Sequence, residues 1–542
     1  MKLKLNLYIS FIFFSFFYSN TVFAQKVDTG NLQGEWIGQV STEPYPDLLS
    51  LRVMDSTVLA KMFYNNVDLI PLIDFKTQND SLSFSINSLD WQGEFSGYRE
   101  NENTIRGKVR AGGEDFPFHL RKMAAVGLED MADMVGYFSF DANHVVELNP
   151  LMMGTLAAPI EILDYKTGKR RMAIPVEENV FEAGPSMYNY YPSSLQIVSH
   201  RDSAGALMSI DLIDLESKKT YTGGKRLQGL ERVEEIQVES EGSPLYGTIT
   251  YPNIKEKAPL VIFVPGAGVQ ARGNTFDEFV RILPYYGYAT LVYDKRGCGM
   301  SEGDRNSSFD TLASDILSFV DQLVQNDSID AERIGLVGFD QAGYVMPIAL
   351  NKSDKLKFAV SVSSPTVGMK AHEKFALKHR MEGDGFDEEQ VNAAISYLDQ
   401  FFNYWEGTVS MDELEKDAKK IEDRAFASYL TMPSNKAYMA WWEKFYNFDP
   451  AEELKKVKQP YLALYGADDV LLSAKENAHL AKKYLKKNSD KVKVEVYPKT
   501  NHMMFLEANR GDVQLSEVTG YTPEVFYQII DWVDFYLGKD KP

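Results

Sequence analysis

Short, mostly apolar runs alternating with amphipathic helical stretches constrain this chain more than any other feature. From about residue 236 onward, Leu260 to Val264 and Ala289 to Tyr293 are bounded by turn residues and too short for helices. That is the pattern of strands covered on both faces of a parallel sheet. Phe309, Leu312, Ile316, Phe319, Val320 and Leu323 then recur at helical spacing, a stripe suited to covering such a sheet. The alternation resumes at Tyr461 to Tyr465 and Val492 to Val496 and ends in a helix around Glu524 to Tyr536. Residues 236–542 therefore read as an α/β domain.

Two departures frame it. Between about 367 and 460 the alternation gives way to helical, charged and aromatic sequence that includes Tyr404, Trp405, Trp441, Trp442 and Tyr446. An insertion there lies over the carboxyl ends of the strands, where open α/β sheets bind ligands, so it reads as a helical lid. Its aromatics also suffice to form a core of their own. Ahead of the domain the period is two. Residues 25–125 carry Trp36, Gly38, Val40 and Leu82, Phe84, Ile86 with turns at Asn79-Asp80 and Ala111-Gly112-Gly113, which predicts a barrel or sandwich. Residues 126–235 read as a second β-rich module, with hairpin turns at Tyr165 to Gly168 and Asp202 to Gly205. Neither module clusters ionisable residues, and either offers a surface for a protein partner.

The first 24 residues have the grammar of a signal peptide. Lys2 and Lys4 precede an apolar run from Leu5 to Phe17, and Val22-Phe23-Ala24 supplies small residues before Gln25. The run is short for a membrane span of about 20 residues, so the expectation is an exported protein, periplasmic or extracellular, with no integral span after cleavage. The only cysteine is Cys298, which leaves stability to packed cores. Cleavage lowers Lys+Arg from 57 to 55 against 77 Asp+Glu and takes the formal charge from −20 to −22, a balance that repels nucleic acid and anionic lipid. No metal-ligand spacing, phosphate-cradling loop or nucleotide fingerprint appears, so no metal and no cofactor is assigned.

The chemistry gathers in four segments. Arg333 to Gly343 reads as a buried strand, a small-residue turn and a helix start, the context of a G-x-S-x-G nucleophile elbow, but Asp340 stands where the serine belongs. Asp469 follows the run ending at Tyr465, and His502, one of seven histidines, follows the run ending near Val496. A nucleophile needs a base, and the base needs a carboxylate to fix its tautomer. Negative charge developing on oxygen needs backbone N–H donors, which Ala267 in Pro265-Gly266-Ala267-Gly268 and Gln341 after the elbow would supply. Gly299 to Gly303 also satisfies G-x-S-x-G around Ser301, but it lies beyond a strand end with no helix directly after it. Cys298 reads as a small buried filler.

The segments Val264 to Gln270, Tyr293 to Gly303 and Gly338 to Gly343 resemble those of secreted bacterial α/β-hydrolases of the serine aminopeptidase (S33) and prolyl-oligopeptidase-related type. The resemblance covers roughly residues 236–542 and implies an esterase, deacylase or peptidase acting on a small substrate, with the catalytic roles falling on Asp340, Asp469 and His502. Pro265 replaces the family's usual histidine, and Phe339, Asp340, Gln341 and Ala342 replace the central residues of its elbow. A carboxylate attacking an ester would have to expel a far more basic group. At saturated carbon it can open an epoxide or expel a halide, leaving an ester for water to hydrolyse, as in the epoxide hydrolases and haloalkane dehalogenases of this fold. Those enzymes usually carry tryptophan directly after the aspartate, where this chain has Gln341, and the epoxide group also uses lid tyrosines, for which Tyr404 and Tyr446 are available. The third reading is a pseudoenzyme, with Asp340 ion-paired to His502 and the pocket kept for binding or scaffolding.

Overall fold

The computed structural model describes residues 29–538 except for 30–31, 42–46, 55–56, 63–69, 88–91, 127, 142, 151–159, 188, 190, 229, 273–276 and 507–519. The proposed signal peptide lies outside the described residues. The chain divides into two units that meet in sequence at Ala124/Ala125. In the first, eight antiparallel strands from Gly34–Val40 to Glu114–Lys122 close into a barrel, the first pairing with the last from Trp36↔Lys122 to Val40↔Phe118. Alternation explains its interior: in Ser81–Asn87, Leu82, Phe84 and Ile86 are buried while their neighbours are not. Phe84 and Phe95 stack at 4.4 Å in that core.

The second unit begins with another closed eight-stranded barrel, in which Gly136–Asp141 pairs with both His144–Pro150 and Lys219–Arg226. An eight-stranded sheet follows, whose strands we number β1 (Leu230–Ser240), β2 (Ser243–Pro252), β3 (Ala258–Val264), β4 (Ala289–Tyr293), β5 (Ile329–Phe339), β6 (Leu356–Val362), β7 (Tyr461–Gly466) and β8 (Val492–Tyr497). Their spatial order is β1-β2-β4-β3-β5-β6-β7-β8, with β2 antiparallel to β1 and β4 and the strands from β4 to β8 parallel. Every residue of β3 and of β7 is buried, which is why these strands read as unbroken apolar runs. Helix α1 (Phe309–Leu323) buries the whole predicted stripe, and Ser308 caps it by accepting from Thr311 N–H at 3.1 Å. Between β6 and β7 the sequence predicted to be helical contains α2 (Met369–Gly383), α3 (Glu388–Trp405), α4 (Met411–Lys419) and α5 (Lys436–Phe445). Trp442, Phe401 and Phe402 pack edge to face there, so these aromatics form the insertion's own core.

A buried polar seam joins the second barrel to the sheet. Glu147 of the barrel accepts from Tyr137 Oη at 2.7 Å, Tyr165 Oη at 3.0 Å and Arg281 Nε at 2.7 Å. The turn predicted at Tyr165 to Gly168 meets the segment ahead of the C-terminal helix, where Tyr521 N–H donates to Gly168 O at 2.9 Å.

Candidate functional site

Because β3 to β8 run parallel, the segments after β3, β4, β5, β7 and β8 emerge at one edge, and Ala267, Asp340, Gln341, Asp469 and His502 lie in them. Asp340 follows β5 directly with φ 51°, and a helix starts at Ala342. The left-handed backbone makes the turn sharp, and Asp is among the few non-glycine residues that tolerate it. Strand and helix must also approach closely: a Cβ on Gly338 would come within 2.5 Å of Ala342 Cβ.

Asp469 and His502 are brought together by two zipped loops. Ala467 N–H donates to Tyr497 O and Asp468 N–H to Thr500 O, and a Cβ on Gly466 would strike Thr500 O at 2.3 Å. His502 Nδ1 then lies 2.7 Å from Asp469 Oδ2, while Asp469 Oδ1 accepts from Leu471 and Leu472 N–H at 2.7 and 3.0 Å. Both residues are buried. Burial opposes the imidazolium, but the charge of Asp469, its hydrogen bond and the charge of Asp340 outweigh that, and the His502 pKa is raised. The His502 ring meets the Phe339 ring edge on at 5.0 Å, beside the elbow.

Asp340 itself points at the β3 loop. Its Oδ2 accepts from Ala267 N–H at 3.0 Å, so this N–H, predicted to stabilise an oxyanion, is satisfied by the chain's own carboxylate. His502 is ion-paired to Asp469, and the charge of Asp340 also acts on it. Gln341 is buried next to Asp340, and its side-chain Oε1 accepts from Lys295 Nζ at 2.6 Å.

Residues 255–509 match the family model described as serine aminopeptidase, S33. An uncharacterized 31.7 kDa protein in the traX-finO intergenic region of Escherichia coli is 32% identical over 239 residues, which cover 42% of this chain and 78% of that protein. The chain belongs to the α/β-hydrolase family. The mitochondrial palmitoyl-protein thioesterase ABHD10 of Rattus norvegicus is 27% identical to this α/β-hydrolase over 131 residues, 23% of this chain and 41% of that one. Among solved structures, the Pyrococcus furiosus esterase Pf2001 aligns at 15% identity and TM-score 0.38 over 57% of this chain and 92% of its own. The Pyrococcus horikoshii acylaminoacyl peptidase aligns at 16% identity and TM-score 0.39 over 96% of this chain and 72% of its own.

Two residues of this α/β-hydrolase escaped the reading of the sequence. Lys295, directly after Asp294 at the end of β4, is only 5% exposed, and burial lowers its pKa to about 8. The available signal was a lysine abutting a buried apolar strand. His372 lies in α2, and its Nδ1 is buried without a hydrogen-bond partner. Burial lowers its pKa, the charges of Asp340 and Asp469 raise it and His502 lowers it further, so all three groups act on its charge. One histidine in a helical stretch carries no such signal in sequence. Tyr404 and Tyr446 pack on Trp405, with ring centroids 4.8 and 6.1 Å away. Ser301 is buried and its Oγ accepts from Tyr246 N–H at 2.9 Å, a structural bond, and Cys298 is a buried free thiol. Among the described residues no three His, Cys, Asp or Glu side chains gather as a metal site requires.

Proposed function

We propose that this α/β-hydrolase cleaves a small electrophilic substrate, an epoxide or an alkyl halide, with Asp340 as nucleophile, His502 as base and Asp469 as its orienting acid. One observation carries the reading: Asp340 Oδ2 accepts the Ala267 N–H at 3.0 Å. In acyl transfer that donor must be open to the oxygen of the substrate carbonyl. Here the enzyme's own carboxylate fills it, which suits a reaction in which the carbonyl under attack belongs to the enzyme.

The steps balance. An Asp340 Oδ1 lone pair forms a bond to the substrate carbon as the bond from that carbon to halogen or epoxide oxygen breaks, and the electron pair leaves with the departing atom. A halide departs as the anion, whereas the alkoxide of an opened epoxide takes a proton from solvent water, and the hydroxide so formed is neutralised by the proton that the Asp340 carboxyl releases at the end of the cycle; the helical insertion serves as the lid. His502 then takes a proton from water, and the hydroxide adds to Cγ of the Asp340 ester. The charge lands on Oδ2, where Ala267 and Gln341 N–H stabilise it, and collapse expels the alcohol with the proton held by His502. Asp469 stabilises the imidazolium throughout.

Trapping tests this reading. The His502→Gln variant, incubated with a panel of epoxides and haloalkanes, should accumulate an ester on Asp340 that intact-mass and peptide analysis locate, and Asp340→Asn should form none. The same panel with simple esters, run on wild type, Asp340→Asn and Asp340→Ser, separates the alternatives. Ester turnover undiminished in Asp340→Asn would remove Asp340 from the mechanism. No turnover and no adduct with any electrophile would leave a binding protein.

A further inference from the structure

Lys295 is buried at the carboxyl edge of the sheet, yet none of the steps above uses it. Its Nζ donates to Gly266 O at 2.9 Å and to Gln341 Oε1 at 2.6 Å. Its backbone ties down the same loop, because Lys295 N–H donates to Gln270 O at 3.0 Å. Gln270 Nε2 in turn donates to Ala267 O at 3.2 Å. Gly266 O and Ala267 N–H belong to one peptide group. A continuous chain therefore runs from the Lys295 ammonium through that amide to Asp340 Oδ2, with Lys295 at one end at 2.9 Å and the carboxylate at the other at 3.0 Å.

We propose that Lys295 is a positioning residue that holds and polarises the anion-stabilising pocket, with one ammonium gripping the Gly266–Ala267 peptide and the side chain of Gln341 together. This rests on reading Ala267 and Gln341 as the donors of that pocket, and it does not require Asp340 to be the nucleophile. Three consequences follow from the chemistry. A cation on Gly266 O draws electron density through the amide and makes Ala267 N–H a stronger donor, since linked hydrogen bonds polarise one another. The Gln341 side chain is anchored, which fixes the backbone N–H that follows the elbow. Lastly, because the Lys295 ammonium is itself buried, its positive charge favours negative charge on Oδ2 more than a solvent-exposed cation at the same distance would.

A lysine is buried only at a cost in charge solvation. A merely structural clamp would work as well with a neutral group, whereas polarisation requires the proton. Burial pulls the Lys295 pKa down to about 8, Arg305 lowers it too, and Asp340 and Cys298 oppose them. The pocket is thus fully charged below that value and loses its cation as pH rises through it.

Acetate binding to the Asp340→Ala variant tests the proposal without reference to turnover. This change empties the pocket, and acetate is titrated calorimetrically well below and well above the lysine's pKa. Removing Asp340 takes away a charge that raises this pKa, so the transition should fall at or below about 8. The expected result is acetate affinity that falls on the order of tenfold as pH rises through the transition, as loss of a nearby cation at intermediate dielectric implies. Asp340→Ala/Lys295→Met should bind weakly throughout, and the difference between the two series removes the titration of His502, which both share. Thermal unfolding confirms that the double variant is folded; if it is not, the pH series on Asp340→Ala/His502→Gln, with Lys295 intact and the imidazole titration absent, decides instead. Equal affinity with Met at position 295, a flat pH series, or no acetate binding with the lysine charged would each overturn the proposal. If wild type turns over no electrophile while these acetate results hold, the nucleophile reading fails and the role of Lys295 stands.

Discussion

Replacing Asp340 by glycine should stabilise the fold relative to replacing it by alanine, the reverse of the usual order. The reason is the backbone at φ 51°. A residue with a Cβ in the left-handed region pays roughly 1–2 kcal/mol, and glycine pays none of it. Glycine in turn loses about 0.5–1 kcal/mol through the greater freedom of its unfolded chain. Both variants lose the same hydrogen bond to Ala267 N–H, which cancels in the comparison. The net expectation is that Asp340→Gly exceeds Asp340→Ala in stability by about 1 kcal/mol. Asp340→Asn, which keeps an oxygen for Ala267 and tolerates the same φ, should lie within about 0.5 kcal/mol of the parent. In a domain of this size 1 kcal/mol moves a melting transition by about 2 °C. The assay is scanning calorimetry of the three variants, following the transition that contains the α/β domain, because a chain with several units does not unfold in one step. Should Asp340→Ala melt at or above Asp340→Gly, the turn carries no left-handed strain and the carboxylate is not held by the elbow.

Other expectations follow from the same coordinates. The raised His502 pKa should appear as an imidazole titration with its midpoint above 6.5 by NMR; the stabilisation this pair contributes is complete below the unfolded value and lost as pH rises through the folded one. Asp340→Asn should lower that midpoint and Asp469→Asn should lower it more, and a midpoint unmoved by either would contradict the assigned charges. Gly338→Ala places a Cβ 2.5 Å from Ala342 Cβ and 2.8 Å from Met346 Sδ and should cost about 1–3 kcal/mol of stability. In the double variant with Ala342→Gly, chemical denaturation should show a favourable coupling, and strict additivity would remove the close approach as the cause. Glu147→Leu removes the acceptor shared by Arg281 and two tyrosine hydroxyls at the seam and should cost about 1–3 kcal/mol, below the full cost of a broken buried pair because Arg281 is one-third exposed and Tyr165 Oη also donates to Glu278 O. Limited proteolysis of this variant should cut between the second barrel and the sheet sooner than in the parent.

The α/β architecture was legible because its signals are local. Strands buried on both faces must be apolar throughout, so β3 and β7 announce themselves over five or six residues, and the α1 stripe is set by helical geometry alone. The positions of Asp340, Asp469 and His502 were legible for a related reason: each directly follows a strand of one parallel sheet, and parallel strands bring their carboxyl ends to one edge. What sequence could not contain is direction at close range. That Asp340 turns its carboxylate onto Ala267, 73 residues away in the chain, depends on a loop and an elbow meeting at hydrogen-bond distance. Lys295 carries no motif of its own; it matters because tertiary packing removes water from its ammonium and leaves it the Gly266 carbonyl and the Gln341 amide as partners. His372 counts only because folding brings the first helix of the insertion within electrostatic reach of Asp340, Asp469 and His502. The sequence alone determined which chemistry-bearing residues stand at the edge of the sheet. Only the tertiary structure decided which of them face one another, because hydrogen bonds and close charges act over a few ångströms of space whatever the separation along the chain.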